Sequence, residues 1–173
     1  GEEVMTQAER IQQAREMTDL PLDITTLYQL GLQAGRITSS DPEQLLDSAR
    51  RFDQRFNQLR RDAFERVALQ GEDPQGVSQS FAQQLENLVM QFMEEGIQLG
   101  ERYEGKSIAE ILEEAAEQIG ECDAEELSRE FGLDPERVRR IAEQSKEGMK
   151  RMAQQVRELE LQLRDSRGDG LGS

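Results

Sequence analysis

The chain has 173 residues, with 36 acidic and 21 basic side chains and a net charge of −15. It has no His, no Trp and one Cys, so an intrachain disulfide, a His/Cys zinc site and any mechanism with an internal histidine base are all excluded. Hydrophobic residues are 35% of the chain and aromatic residues 5%. That is a thin supply for a globular core, yet the apolar residues recur periodically, which opposes disorder.

The acid is uneven. Residues 1–121 hold 24 acidic and 11 basic side chains, and residues 122–173 hold 12 and 10. An acidic body repels phosphate backbones and anionic membranes and suits a basic protein partner. No apolar run approaches the roughly 20 residues of a membrane span. The opening Gly1-Glu2-Glu3 is acidic and leads into an amphipathic stretch, unlike a signal peptide. A lone Cys122 fits a reducing cytoplasm.

In chain order, Val4, Ala8 and Ile11 predict a short amphipathic helix over 4–17. Leu20-Pro21-Leu22 breaks it, and the two leucines are expected to tuck against the core. Asp23 caps a second helix with Ile24, Leu27, Leu30 and Ala34 as its apolar side. Asp41-Pro42 is a strong helix start, because proline's missing N–H costs nothing at the first helical position.

The helix predicted over 42–70 carries Leu45, Ala49, Phe52, Phe56, Leu59 and Ala63 in 4–3 spacing. Gly71–Gly76 is a turn cluster. A second long helix, 76–104, follows with Val77, Phe81, Leu85, Leu88, Phe92, Gly96, Leu99 and Tyr103. Each helix spans about 42 Å at about 1.5 Å per residue. Matched seams joined by a short turn predict a long antiparallel hairpin, with Phe52, Phe56, Leu59, Phe81, Leu85, Leu88 and Phe92 as its core.

Ser107 caps a helix over 108–119, which Gly120 is expected to stop. Asp123 caps a short helix ending at Gly132, and Asp134-Pro135 starts the last one. Its seam is Val138, Ala142, Ser145, Met149, Met152, Val156, Leu159 and Leu163, again in 4–3 spacing. Residues 167–173 have linker composition and are expected to form a flexible tail. No strand signal appears.

The segment 123–141, DAEELSREFGLDPERVRRI, resembles a helix-turn-helix and is similar to the promoter-reading segment of bacterial sigma factors. Gly132 stands where the turn requires positive φ. The resemblance implies that Leu127, Phe131, Leu133, Val138 and Ile141 hold the helices together. Ser128 occupies the close-contact position where alanine is usual. It further implies that Arg137, Arg139 and Arg140, with Lys146 beyond them, face DNA. Glu125, Glu126, Glu130, Asp134 and Glu136 oppose that. Glu113, Glu114 and Glu117 cluster on one helix without a liganding loop, so a solvated face is the simpler reading.

The sequence thus predicts an all-α protein in three parts. Residues 1–105 form a helical region with the hairpin. Residues 106–166 form a tri-helical unit extending into a coiled-coil helix, and 167–173 form the tail. The expected function is non-enzymatic, without cofactor or metal. It is a cytoplasmic protein–protein interaction adaptor or scaffold that forms homo-oligomers through the seam Val138, Ala142, Met149, Met152, Val156, Leu159 and Leu163. The alternative is a DNA-binding regulator using 123–141, which the charge disfavours.

Overall fold

The computed structural model describes residues 5–20, 22–121 and 123–171, with 166–171 as backbone only. The protein is all-α. Among the described residues there are seven helices and one two-stranded sheet. The chain forms two compact units. The first comprises residues up to Gly35 together with Asp41–Gly96, and the second comprises Arg36–Ser40 together with the chain from Ile97 onward. The expected division after residue 105 therefore moves to 96, and a five-residue link joins the second unit.

In the first unit, α1 (Gln7–Thr18) begins at a capping box. Glu9 N–H donates to Thr6 Oγ1 at 3.1 Å, and Thr6 N–H donates back to the Glu9 carboxylate at 3.4 Å. This start signal sets the helix to begin after Thr6. Val4 and Pro21 lie outside the described residues. Ala14 and Thr18 are buried, and Ile11 and Met17 pack on the core.

α2 (Ile24–Gln33) is capped by Asp23, which accepts from Thr26 N–H at 3.0 Å. The N–H groups of Ile24 and Thr25 would remain orphans of the first turn. Asp53, about three turns into the next helix, accepts both, at 3.1 and 2.8 Å. This docking, with Tyr28 edge-on to Phe92 at 5.2 Å and Gly31 buried, turns the 24/28/31 face inward. Leu27 and Leu30 are consequently 61% and 58% exposed, against the expected 24/27/30 face, and Leu20 and Leu22 are exposed too.

α3 (Pro42–Ala68) starts as expected at Asp41, whose carboxylate accepts from Gln44 N–H at 3.1 Å. Leu45, Ala49, Phe52, Phe56 and Ala63 are buried, with Leu59 half-buried. After the turn, where Gly71 has φ +69° and Arg66 holds Glu72 through two bonds of 2.8 and 3.0 Å, α4 (Pro74–Gln98) returns antiparallel. Phe52 meets Phe92 at 5.2 Å, Phe56 meets Phe81 at 6.3 Å, and Arg55 donates to Gln91 at 3.1 Å. Ser48 also donates to Glu95. Leu88 is buried, and Leu85 and Phe92 pack against the same cluster. α4 ends at Gln98 rather than 104 because Gly100 takes φ +66° and the chain becomes extended. Tyr103 therefore leaves the seam.

In the second unit, β1 (Ile37–Thr38) pairs antiparallel with β2 (Arg102–Tyr103), with Ile37 opposite Tyr103 and Thr38 opposite Arg102. The Leu99 carbonyl accepts from Ser40 N–H at 2.8 Å and from the Ser39 and Ser40 hydroxyls at 2.7 and 2.8 Å. Strands of two residues are too short to show alternation, which is why the sequence carried no strand signal.

α5 (Ile108–Glu121) begins at a Ser107 cap and runs through Gly120, which does not stop it, because its φ stays negative within the helix. α6 is Ala124–Phe131 and α7 is Pro135–Leu171. Cys122 lies outside the described residues. α7 has 37 residues, about 55 Å. Its backbone carries helix into the expected tail as far as Leu171. Propagation from a formed helix avoids the nucleation cost that an isolated Gly-rich segment would face.

α5 lies antiparallel on the middle of α7. Ala109 and Ala116 of α5 and Ala153 and Val156 of α7 are buried, and Arg157 grips Glu113 through two bonds of 2.7 and 2.9 Å. Ala153 lies outside the predicted 4–3 seam. Val156 is buried. Val138, Ala142, Met149, Met152, Leu159 and Leu163 are half-buried, and Ser145 is exposed. The stretch expected to serve self-association is thus partly covered from within the chain.

Two expectations test this architecture. Phe56→Ala should lower the unfolding free energy by about 3–5 kcal/mol in urea titration, the cost of a cavity at a fully buried aromatic. The second concerns the Glu113–Arg157 clamp. Arg157, chiefly through its hydrogen bonds, holds the Glu113 carboxyl below its ordinary value of 4.5. The stability this pair adds is present above pH 4.5 and is lost as pH falls through the lower folded value. Melting followed from pH 6 to pH 3 should drop more steeply for the wild type than for Arg157→Gln, and equal slopes would contradict the clamp.

Candidate interaction surface on α6 and α7

α6 and the start of α7 form the helix–turn–helix corner. Asp123 Oδ1 accepts from the N–H groups of Glu125 and Glu126 at 3.0 and 3.4 Å, fixing the first turn of α6. Gly132 caps its end in the left-handed region at φ +66°, where a side chain would be strained. The Ser128 carbonyl accepts from both Gly132 and Leu133 N–H. Ser128 itself is buried, as its small side chain allows. Asp134 Oδ1 accepts from Glu136 N–H at 3.4 Å, and Pro135 opens α7. The local signals read from the sequence all act here.

The apolar positions do not behave as the resemblance implies. Leu127 and Val138 are half-buried, whereas Phe131, Leu133 and Ile141 are 67%, 46% and 51% exposed. α6 has only eight residues, and α5 directs its apolar side to α7. Among the described residues the phenyl ring of Phe131 is left largely uncovered. The corner therefore presents an apolar face where a helix-turn-helix would have a closed core.

Arg137, Arg139 and Arg140 are exposed at the start of α7. Arg139 reaches back to Glu125 of α6, with Nη2 3.6 Å from the carboxylate. Arg129 Nε donates to the Glu125 carbonyl at 3.4 Å. Lys146 stands apart from these arginines. It is half-buried, and its Nζ lies 2.9 Å from where a β-carbon on Gly120 would be, so its chain lies along α5. Across 123–141, six carboxylates surround four guanidiniums, and the face has no net positive potential to offer phosphates.

The other candidates resolve simply. Of the acidic trio on α5, Glu113 is held by Arg157, and Glu114 pairs with Lys106 at 2.8 Å. Among the described residues no three His, Cys, Asp or Glu side chains converge in a metal-binding group. The hollow beside Phe52 and Phe92 has about 20 Å³, room for a water rather than a ligand, so these two rings serve as core. Among the described residues no helix is long and apolar enough to cross a membrane.

Sequence reasoning missed two kinds of residue. Asp53 carried no signal, because an acidic residue on a long helix reads as solvated surface. Ala153 is small enough to look like filler, yet it admits α5. The chain matches no protein family, no curated protein and no solved structure with which it was compared, so the likeness of residues 123–141 to a helix-turn-helix rests on this chain's own residues.

Proposed function

We propose that this protein is a non-enzymatic helical adaptor or scaffold that self-associates and binds protein partners through the open face of α6 and α7. The observation that carries the reading is the exposure of Phe131, Leu133 and Ile141 at one corner, flanked by half-buried Leu127 and Val138. Soluble proteins seldom leave an aromatic and two branched aliphatics together without a partner for them.

The charges around the face favour a second copy as occupant. α6 exposes Glu126 and Glu130 beside Arg129, and the first turns of α7 expose Arg137 and Arg140 beside Glu136, so α6 is net acidic and the start of α7 net basic. In a two-fold contact each α6 faces the partner's α7, so opposite signs meet on both sides. The self-association surface on this reading is the N-terminal part of the coiled-coil seam, Val138 and Ala142 with the corner residues. The middle of the seam, where Val156 is buried, serves α5. The acidic remainder of the chain suits a basic protein partner, and the compartment on this reading is the cytoplasm.

The DNA-binding alternative draws on the Gly132 turn and the three arginines. The Arg139–Glu125 pair and the surrounding carboxylates weaken it.

Sedimentation equilibrium should give a mass above the 19.7 kDa of one chain at micromolar concentration. Phe131→Asp with Ile141→Asp should return the monomer with unchanged helical circular dichroism, because both side chains are exposed in the single chain. The loss should be roughly 30-fold or more in Kd, the scale of an interface hot spot. A wild type that stays monomeric at 100-fold higher concentration would overturn self-association. Retention on duplex DNA with a steep salt dependence would replace it with the regulator reading.

A further inference from the structure

In the first unit, α1 and α3 border a hollow of about 490 Å³, within the range of small-molecule sites. Arg15 and Asp19 come from α1 and its C-cap, and Asn57, Arg60, Arg61 and Phe64 come from α3. Three guanidiniums thus share one hollow of a chain whose net charge is −15. Among the described residues none of the three has a carboxylate oxygen within 4.0 Å, although Asp19 stands on the rim.

Two of these arginines have structural work. Arg15 sits in the last turn of α1, where the helix dipole favours a cation. Arg60 donates Nη1–H to the Leu20 carbonyl at 3.1 Å and lies over the Phe56 ring, 5.6 Å from its centroid. Those contacts hold its fork in place. Among the described residues its Nε is buried without an acceptor. Arg61 is exposed, and among the described residues neither a hydrogen bond nor an ion pair accounts for it. Three like charges in one hollow repel, and Asp19 balances only one of them. The remaining charge of about two matches a phosphate group at neutral pH, and guanidinium forks fit phosphate oxygens bidentately.

We propose that this hollow is a binding site for a small phosphate-bearing anion, with Arg15, Arg60 and Arg61 as its charged ligands and the Asn57 amide as a further donor. It is independent of the α6–α7 surface, because every residue invoked belongs to the first unit.

Inorganic diphosphate is the probe, titrated calorimetrically into the full chain in 150 mM NaCl. Saturable one-to-one binding is expected. Arg61→Ala should weaken it about tenfold or more, the scale of a lost charge-assisted bond. Arg61→Lys, which keeps the charge and loses the fork, should fall between, and Arg15→Ala should weaken binding similarly. Arg36→Ala, in the other unit, is the control and should bind as the wild type does. The buried Arg60 Nε–H should give a slowly exchanging ¹⁵N–¹H signal that shifts on adding diphosphate. Citrate at matched ionic strength carries a similar charge spread over carboxylates and should bind more weakly. Absence of saturable heat at millimolar diphosphate would overturn the proposal. So would binding that Arg61→Ala leaves unchanged with the fold intact, or citrate binding as tightly as diphosphate.

Discussion

The contact of Phe52 and Phe56 with Phe81 and Phe92 is the constraint on which the first unit depends. α3 is strongly charged outside its apolar stripe, and an isolated helix of that kind is marginal in water. The four rings give α3 and α4 a shared interior, and aromatic pairs at these separations add to the area they bury. α1 then has a surface on which to bury Ala14 and Thr18, and α2 has one for Tyr28. Asp53 completes this by accepting the N–H groups at the start of α2, so the orientation of that short uncharged helix is set by polar bonds as much as by apolar ones.

The second unit solves the same problem with small side chains. Ala109, Ala116 and Ala153 permit close backbone approach, and Val156 fills the space between. A bidentate Arg157–Glu113 pair adds direction to a contact that alanines alone would leave free to slide. α6 gains less from this arrangement, and Phe131 at its end remains at the surface.

Helix starts were the most legible feature. Asp23, Asp41, Ser107 and Asp123 each accept backbone N–H groups, and Pro42 and Pro135 open helices, because capping is a local interaction between neighbours in sequence. The hairpin core was legible for a similar reason: a 4–3 repeat sustained over six positions of α3 defines one face. The face of α2 was not legible, since a ten-residue helix with apolar residues on both sides leaves the choice to Asp53 and Phe92, far away in sequence. The β1–β2 pair was hidden in the same way, each strand acquiring its partner about 65 residues distant. At the α6–α7 corner the turn chemistry was readable and the burial was not, because what covers Phe131 depends on where α5 goes.

The link from Arg36 to Ser40 has a consequence for how the chain can be made and divided. Its partners, Leu99 and Arg102–Glu104, are synthesised some sixty residues later. During synthesis the segment joining α2 to α3 must therefore wait unpaired while the hairpin that follows it closes. A cleavage at residue 96 would not yield two self-sufficient pieces. The N-terminal fragment would carry a strand with nothing to pair, and the C-terminal fragment would present the bare edge of β2. The two units are thus interleaved along the chain, and recombination can move them only as a whole.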